Sequence, residues 1–291
     1  MINDYVIFTD AASDLPAELI KAHNISVIPM NFEVEGKSYK HYPDGRELEY
    51  LKFYQMLRSG NTATTSQINS SEFLNYFEPV LKCGVDIFYL SFSSGLSGTY
   101  QSSTIAAKEL MERYPERKVY CVDSLCTSVG EGMLVYNAAL KKAEGFDIDE
   151  LKKWTLQNRN HLCHWFTVND LNYLKRGGRL SATSAVLGTV LSVKPILYVD
   201  KEGCLVLSRK TRGRRKSLES LVAHMEKFSV KPEEQTIFIG HGDSINDAKI
   251  LSAMLKERFA VKNVVISDIG PIIGAHTGPG VIALFFFGNE K

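Results

Sequence analysis

No apolar stretch in this chain approaches the ~20 residues that a membrane-spanning helix needs. The longest run, residues 280–287, has the length of a strand. Neither sign of charge is in excess: 34 Lys and Arg stand against 33 Asp and Glu, a net charge of +1. Nothing global therefore draws the chain to nucleic acid or to a membrane surface, and neither a nucleic-acid partner nor stable membrane insertion is expected. Cysteine is scarce. The five, Cys83, Cys121, Cys126, Cys163 and Cys204, are odd in number and lack metal-ligand spacing, which predicts reduced thiols and a cytoplasmic setting. The opening Met1-Ile2-Asn3-Asp4 has neither the basic nor the apolar region of a signal peptide.

Several catalytic and cofactor motifs are also missing. Gly36-Lys37-Ser38 lacks the upstream glycine of a phosphate loop, because position 31 is Asn. The first apolar run is not followed by Gly-x-Gly-x-x-Gly, which disfavours a dinucleotide and leaves no cofactor expected. His161, Cys163 and His164 are crowded, but no second ligand pair stands at a zinc spacing, so no metal is expected. Gly95-Leu96-Ser97-Gly98 is not a nucleophile elbow, since its second glycine comes one residue too soon.

What is present is a core-forming composition, 44% hydrophobic, in a chain of 291 residues, enough for two ordinary domains. Apolar runs at 5–9, 25–32, 87–92 and 119–122 read as strands. Residues 15–23, 48–58, 70–81, 99–111 and 128–144 read as helices from their three- and four-residue apolar spacing. This alternation predicts an α/β fold with an N-terminal parallel sheet flanked by helices. A second α/β unit begins near residue 159, giving expected domains 1–158 and 159–291. In it, strands at 164–168, 196–198 and 204–207 surround a turn at 200–203. Helices at 181–191, 217–228 and 245–259 and strands at 237–240, 264–267 and 280–287 follow.

The most informative segment is Ser93-Ser94-Gly95-Leu96-Ser97-Gly98-Thr99, at a strand-to-helix turn. Such a turn suits an anion, through backbone N–H groups and the helix dipole. With no lysine present it favours a single carboxylate or phosphate; an ordinary glycine turn with an N-cap would read the same. Thr64-Thr65-Ser66-Gln67 is a second hydroxyl-rich entrance, by itself a helix cap. His276 in His276-Thr277-Gly278-Pro279-Gly280 reads as a proton carrier or as a surface-loop histidine. Arg176-Gly177-Gly178-Arg179 pairs with a phosphate, a carboxylate or structural acids. From Arg209 to Lys216, six of eight residues are basic, a solvated face or a dock for an acidic partner.

In order along the chain stand Thr9-Asp10-Ala11-Ala12-Ser13-Asp14-Leu15-Pro16, Thr65-Ser66-Gln67, Ser93 to Tyr100, Asp123-Ser124, Leu171 to Ser181, Lys194-Pro195-Ile196-Leu197, and His276 to Gly280. Together they resemble the DegV family over nearly the whole chain. Ala11 and Ile68-Asn69 depart from the commoner pattern. The resemblance implies a two-domain fold that buries a long-chain fatty acid between the domains. It also implies a role like that of the binding subunits of bacterial fatty acid kinase, which do no chemistry but present the carboxylate to a separate ATP-binding kinase subunit. Carried onto this sequence, it assigns the carboxylate to Thr65, Ser66, Ser93, Ser94 and Gly95. Arg176 and His276 would support them or assist phosphoryl transfer. Val186, Leu187, Val190 and Leu191 would line the acyl tunnel. Arg209, Arg212, Arg214 and Arg215 would face the kinase subunit. A chain of about sixteen to eighteen carbons gains ~0.8 kcal/mol per buried methylene, so the tail can supply the affinity and the head group need only be hydrogen-bonded. Two other expectations are a serine-dependent acyl hydrolase, using Ser93, Ser94 or Ser97 with His276 as base, and a regulatory lipid-sensing protein docking through its basic segment.

Overall fold

The computed structural model describes residues 4–180, 193–289 and 291. The expected helix at 181–191, with Val186, Leu187, Val190 and Leu191, lies outside the described residues. The chain begins β1 (Tyr5–Asp10), α1 (Ala17–Ala22), β2 (Ser26–Ile28), β3 (Met30–Val34), β4 (Lys37–His41), α2 (Tyr50–Arg58) and β5 (Ala63–Thr65). Next come α3 (Ser70–Lys82), β6 (Asp86–Ser91), α4 (Thr99–Arg113), β7 (Val119–Asp123), α5 (Val129–Ala143) and α6 (Ile148–Asn158). It continues β8 (Leu162–Thr167), α7 (Asn172–Arg176), β9 (Val193–Val199), β10 (Leu205–Arg212), α8 (Arg214–Phe228) and β11 (Thr236–His241). It closes with α9 (Ile245–Arg258), β12 (Asn263–Asp268), α10 (Pro271–Thr277) and β13 (Ile282–Phe287).

The first sheet is parallel throughout, in the order β2-β1-β6-β7. Every residue of β6 is buried, as a central parallel strand covered on both faces requires. The apolar run at 25–32 is two strands rather than one, because Pro29 has no N–H to continue a ladder. Ser26–Ile28 extends the parallel sheet, whereas Met30–Val34 turns into a separate antiparallel sheet, β4-β3-β5. The segment at 64–67 is likewise not a helix entrance. Thr65 ends a strand, and α3 is opened by a capping box between Asn69 and Glu72.

The second sheet, β10-β9-β8-β13-β11-β12, is antiparallel except for β11 with β12. One face packs Cys163, Trp165, Ile237, Ile239, Leu284 and Phe286 against α8 and α9. The opposite face turns Phe166, Leu197, Phe238 and Phe285 into the apolar core shared with the first sheet. Helix α5 lies between the sheets, touching β1 and β6 on one side and β8, β11 and β13 on the other. His276 sits on a short helix rather than in a loop, since Pro271 is accommodated in the first turn of α10.

Candidate functional site

A cavity of about 310 Å³ opens beside the carboxyl ends of the first sheet, where parallel sheets place their ligands. Its volume lies at the lower end of the range for small-molecule sites. Thr65, Ser66, Ser97, Gly98, Arg179 and His276 line it together with Ala12, Phe92, Leu174, Ile272 and Ile273. Ser66, Gln67 and Gly98 are exposed, whereas Phe92, Leu174, Ile272 and Ile273 are buried, so the wall runs from a polar mouth to an apolar interior. Arg179 is the one cation in this lining, and no carboxylate contributes to it among the described residues.

The mouth is built by four short segments. Thr65 closes β5, and its Oγ1 lies 2.8 Å from His276 Nε2 on α10. Burial pushes His276 down to about 4, with the charge of Arg179 adding to the effect, so its ring is neutral at neutral pH. Gly98 caps α4, which places a helix N-terminus at the cavity wall. Ser97 Oγ lies 2.9 Å from Thr99 Oγ1 and accepts from the Thr99 N–H. Arg179 is tethered by its own turn: Nε donates to the Leu96 carbonyl at 3.2 Å, and a terminal nitrogen donates to the Gly177 carbonyl. One guanidinium thus ties the 93–99 turn to the 176–179 turn beside the cavity.

The structure brings Thr65, Ser66 and His276 to the cavity and leaves Ser93, Ser94, Gly95 and Arg176 outside its lining. Ser93 is buried, and its hydroxyl donates to the Gly203 carbonyl at 2.9 Å in the β9–β10 hairpin. Gly203 has φ +76, and a Cβ there would stand 2.0 Å from Ser93 Oγ, so the hairpin turn needs glycine on both counts. Ser94 is exposed, and its backbone N–H donates to Asp123. Gly95 is exposed and passes close to the Glu202 carbonyl. Arg176 is exposed too, with its guanidinium 4.6 Å above the Tyr173 ring. Serine composition marked a turn that reaches the cavity wall through Ser97 and Gly98; it did not reveal which hydroxyls the hairpin would occupy. Ser97, Gly98 and Arg179 lie in the same motifs, one helical turn or less away.

Arg209 and Arg212 are exposed on β10, the edge strand of the second sheet. Charges there discourage strand addition. Arg214 is engaged instead, its Nε donating to Asp247 of α9 at 2.9 Å. Arg215 pairs with Glu219 one turn along α8.

Beneath the cavity, three buried acids gather at the end of β1 and on α5. Asp10 accepts from the Tyr89 hydroxyl and the Phe92 and Ala12 N–H groups. Asp14 accepts from the Ser128 hydroxyl at 2.6 Å and the Gly270 N–H at 2.8 Å. Glu131 accepts from Thr9. Burial raises all three above the usual carboxylate range, Asp14 to about 8. None lines the cavity; Asp14 instead joins β1, α5 and α10, since its donors precede those two helices.

A smaller chamber of about 40 Å³ adjoins the cavity and shares Thr127, Leu205, Ile273 and Thr277 with it. Apart from Ser128 and His164, its remaining wall is apolar, with Phe166, Ile269, Val281 and Phe285. The arrangement places neutral donors and one guanidinium at the mouth of an apolar cavity.

The family model described as "Uncharacterised protein, DegV family" matches residues 4–289. A DegV domain-containing protein of Clostridium perfringens is 46% identical over 287 residues, covering 99% of this chain and 98% of that one. The solved structure titled for fatty acid binding of a DegV family protein from Thermus thermophilus superposes with a TM-score of 0.86 at 28% identity. That match covers 98% of this chain and 99% of that one. A fatty acid binding DegV family protein from Streptococcus agalactiae gives 0.86 at 27% identity, over 99% of this chain and 100% of that one. With the family model spanning both sheets and the cavity between them, this chain belongs to the DegV family.

Proposed function

We propose that this protein binds one long-chain fatty acid in the cavity, carboxylate at the polar mouth and tail in the apolar interior. The observation that carries the reading is the polarity gradient of a single cavity. Thr65, Ser66, Ser97 and Gly98 with Arg179 stand towards one end, and Ile272, Ile273 and Leu174 line the interior. The fatty-acid binding named for the Thermus and Streptococcus relatives supports it. Two units, 1–158 and 159–291, each supply part of the wall: Thr65 and Ser97 from one, Arg179, Leu205 and His276 from the other.

The carboxylate end lies where the wall is exposed, which suits presentation to a separate ATP-using kinase subunit that forms the acyl phosphate. In that role His276 holds Thr65 in place, Arg179 balances the anion, and Arg176, exposed nearby, meets the incoming phosphate. Arg209, Arg212 and Arg215 supply a basic face for the acidic partner. A hydrolase would require the histidine to activate a serine, whereas His276 Nε2 is directed to Thr65.

Titration with stearic acid tests the head-group assignment. One hydrogen bond to a charged group is worth about 1.5–3 kcal/mol, so Thr65→Ala and Ser97→Ala should each weaken binding about tenfold or more. Ser93→Ala should affect affinity less than Ser97→Ala while lowering stability by about 1–3 kcal/mol, because the buried Gly203 carbonyl loses its donor. Unchanged affinity in both Thr65→Ala and Ser97→Ala would refute the assignment.

A further inference from the structure

His164 stands on the wall of the small chamber. It is 1% exposed, and neither Nδ1 nor Nε2 has a hydrogen-bond partner among the described residues. Buried polar groups are ordinarily paired, so an unpaired imidazole at a cavity wall calls for an explanation. The ring lines the small chamber that adjoins the main cavity. It points from β8 to the same face as Phe166, packs edge-on against Phe285 at 5.2 Å, and lies against α5 where Gly130 leaves room. A Cβ on Gly130 would stand 2.6 Å from Nε2. Two other hydroxyls at the chamber are occupied: Ser128 donates to Asp14, and Thr277 donates to the Ile273 carbonyl. Burial keeps the ring neutral, well below its ordinary value. A neutral imidazole offers one donor and one acceptor.

Resting on the fatty-acid reading above, we propose that His164 forms a polar subsite for an oxygen carried on the hydrocarbon part of the ligand. The substrate class is then a hydroxy or oxo fatty acid, not only a saturated chain. A hydroxyl can pair with the one ring nitrogen it reaches in either tautomer, accepting from that nitrogen's N–H or donating to it when it is bare. An oxo group can accept from the N–H. A plain methylene chain meets neither, and leaves a desolvated donor and acceptor unpaired.

Affinities are measured for stearic acid and for hydroxystearic acids with the hydroxyl walked along the chain, using the full-length protein. At least one positional isomer should bind about tenfold tighter than stearic acid, the effect of one hydrogen bond at a buried site. His164→Phe retains an aromatic ring and should abolish that preference while binding stearic acid at least as tightly as the wild type. In the wild-type protein, the preferred isomer should shift the His164 ring ¹⁵N resonances and stearic acid should not, a reading that needs no variant to fold. Equal affinity for stearic acid and every isomer, or a preference that survives in His164→Phe, overturns the subsite while leaving fatty-acid binding intact. Failure of stearic acid and all isomers to bind overturns the fatty-acid reading and the subsite with it.

Discussion

Asp14 couples the stability of the protein to pH. Its carboxyl is buried and pushed from an ordinary 3.8 up to about 8, chiefly by desolvation. In the unfolded chain it titrates at its ordinary value, so between about pH 4 and 8 the native state holds a proton that the unfolded state releases. Stability associated with Asp14 therefore falls as pH rises through that window. Chemical unfolding of Asp14→Asn near pH 5 and near pH 8 should show a shallower decline than the wild type, by on the order of a few kcal/mol. An identical decline in both proteins would place the titration elsewhere, on Asp10 or Glu131, which burial also raises. Sequence gave no sign of this role. Asp10 and Asp14 stood in a motif, but their donors come from Tyr89, Ser128 and Gly270, remote along the chain. Ser93 shows the same limit: its partner, the Gly203 carbonyl, is 110 positions away.

Elements were more legible than contacts, because periodicity is local and pairing is not. The run 87–92 and the helices at 70–81 and 217–228 read correctly, since each carries its own apolar spacing. Other features escaped, and three of them show why. Pro29 divided one expected strand between two sheets, β4 has too many polar residues to signal burial, and α10 is short and glycine-flanked. The hairpin at 200–203 was legible, but not that its turn would close over Ser93. The basic segment was also legible as charge, while only the structure separates exposed Arg209 and Arg212 from Arg214, paired with Asp247. That separation sets a prediction for the edge strand. Arg209→Glu with Arg212→Glu should leave stearic acid affinity unchanged and reduce acyl phosphate formation with the proposed kinase partner at least tenfold at low salt. Raised salt should narrow the gap between the two proteins, because screening weakens both the wild-type attraction and the repulsion in the variant. Acyl phosphate formation as fast with the double variant as with the wild type would move the proposed partner surface away from β10.

At the scale of the molecule, three sheets and the helix α5 surround one cavity, to which the small sheet β4-β3-β5 brings Met30 and Thr65. The parallel sheet brings its carboxyl-end turns, the antiparallel sheet brings its hairpin and an apolar face, and α5 joins them through a shared core. Such a cavity needs no dinucleotide loop or charged cluster to bind tightly. Each methylene withdrawn from water contributes about 0.8 kcal/mol, and the head group has only to avoid losing its hydration uncompensated. The most direct test is native mass spectrometry of gently purified protein, followed by organic extraction and mass analysis of what is released. The account predicts about one long-chain fatty acid per chain, lost on delipidation and restored by added stearic acid. A bare chain mass, together with failure to take up any member of a fatty-acid panel, would contradict it.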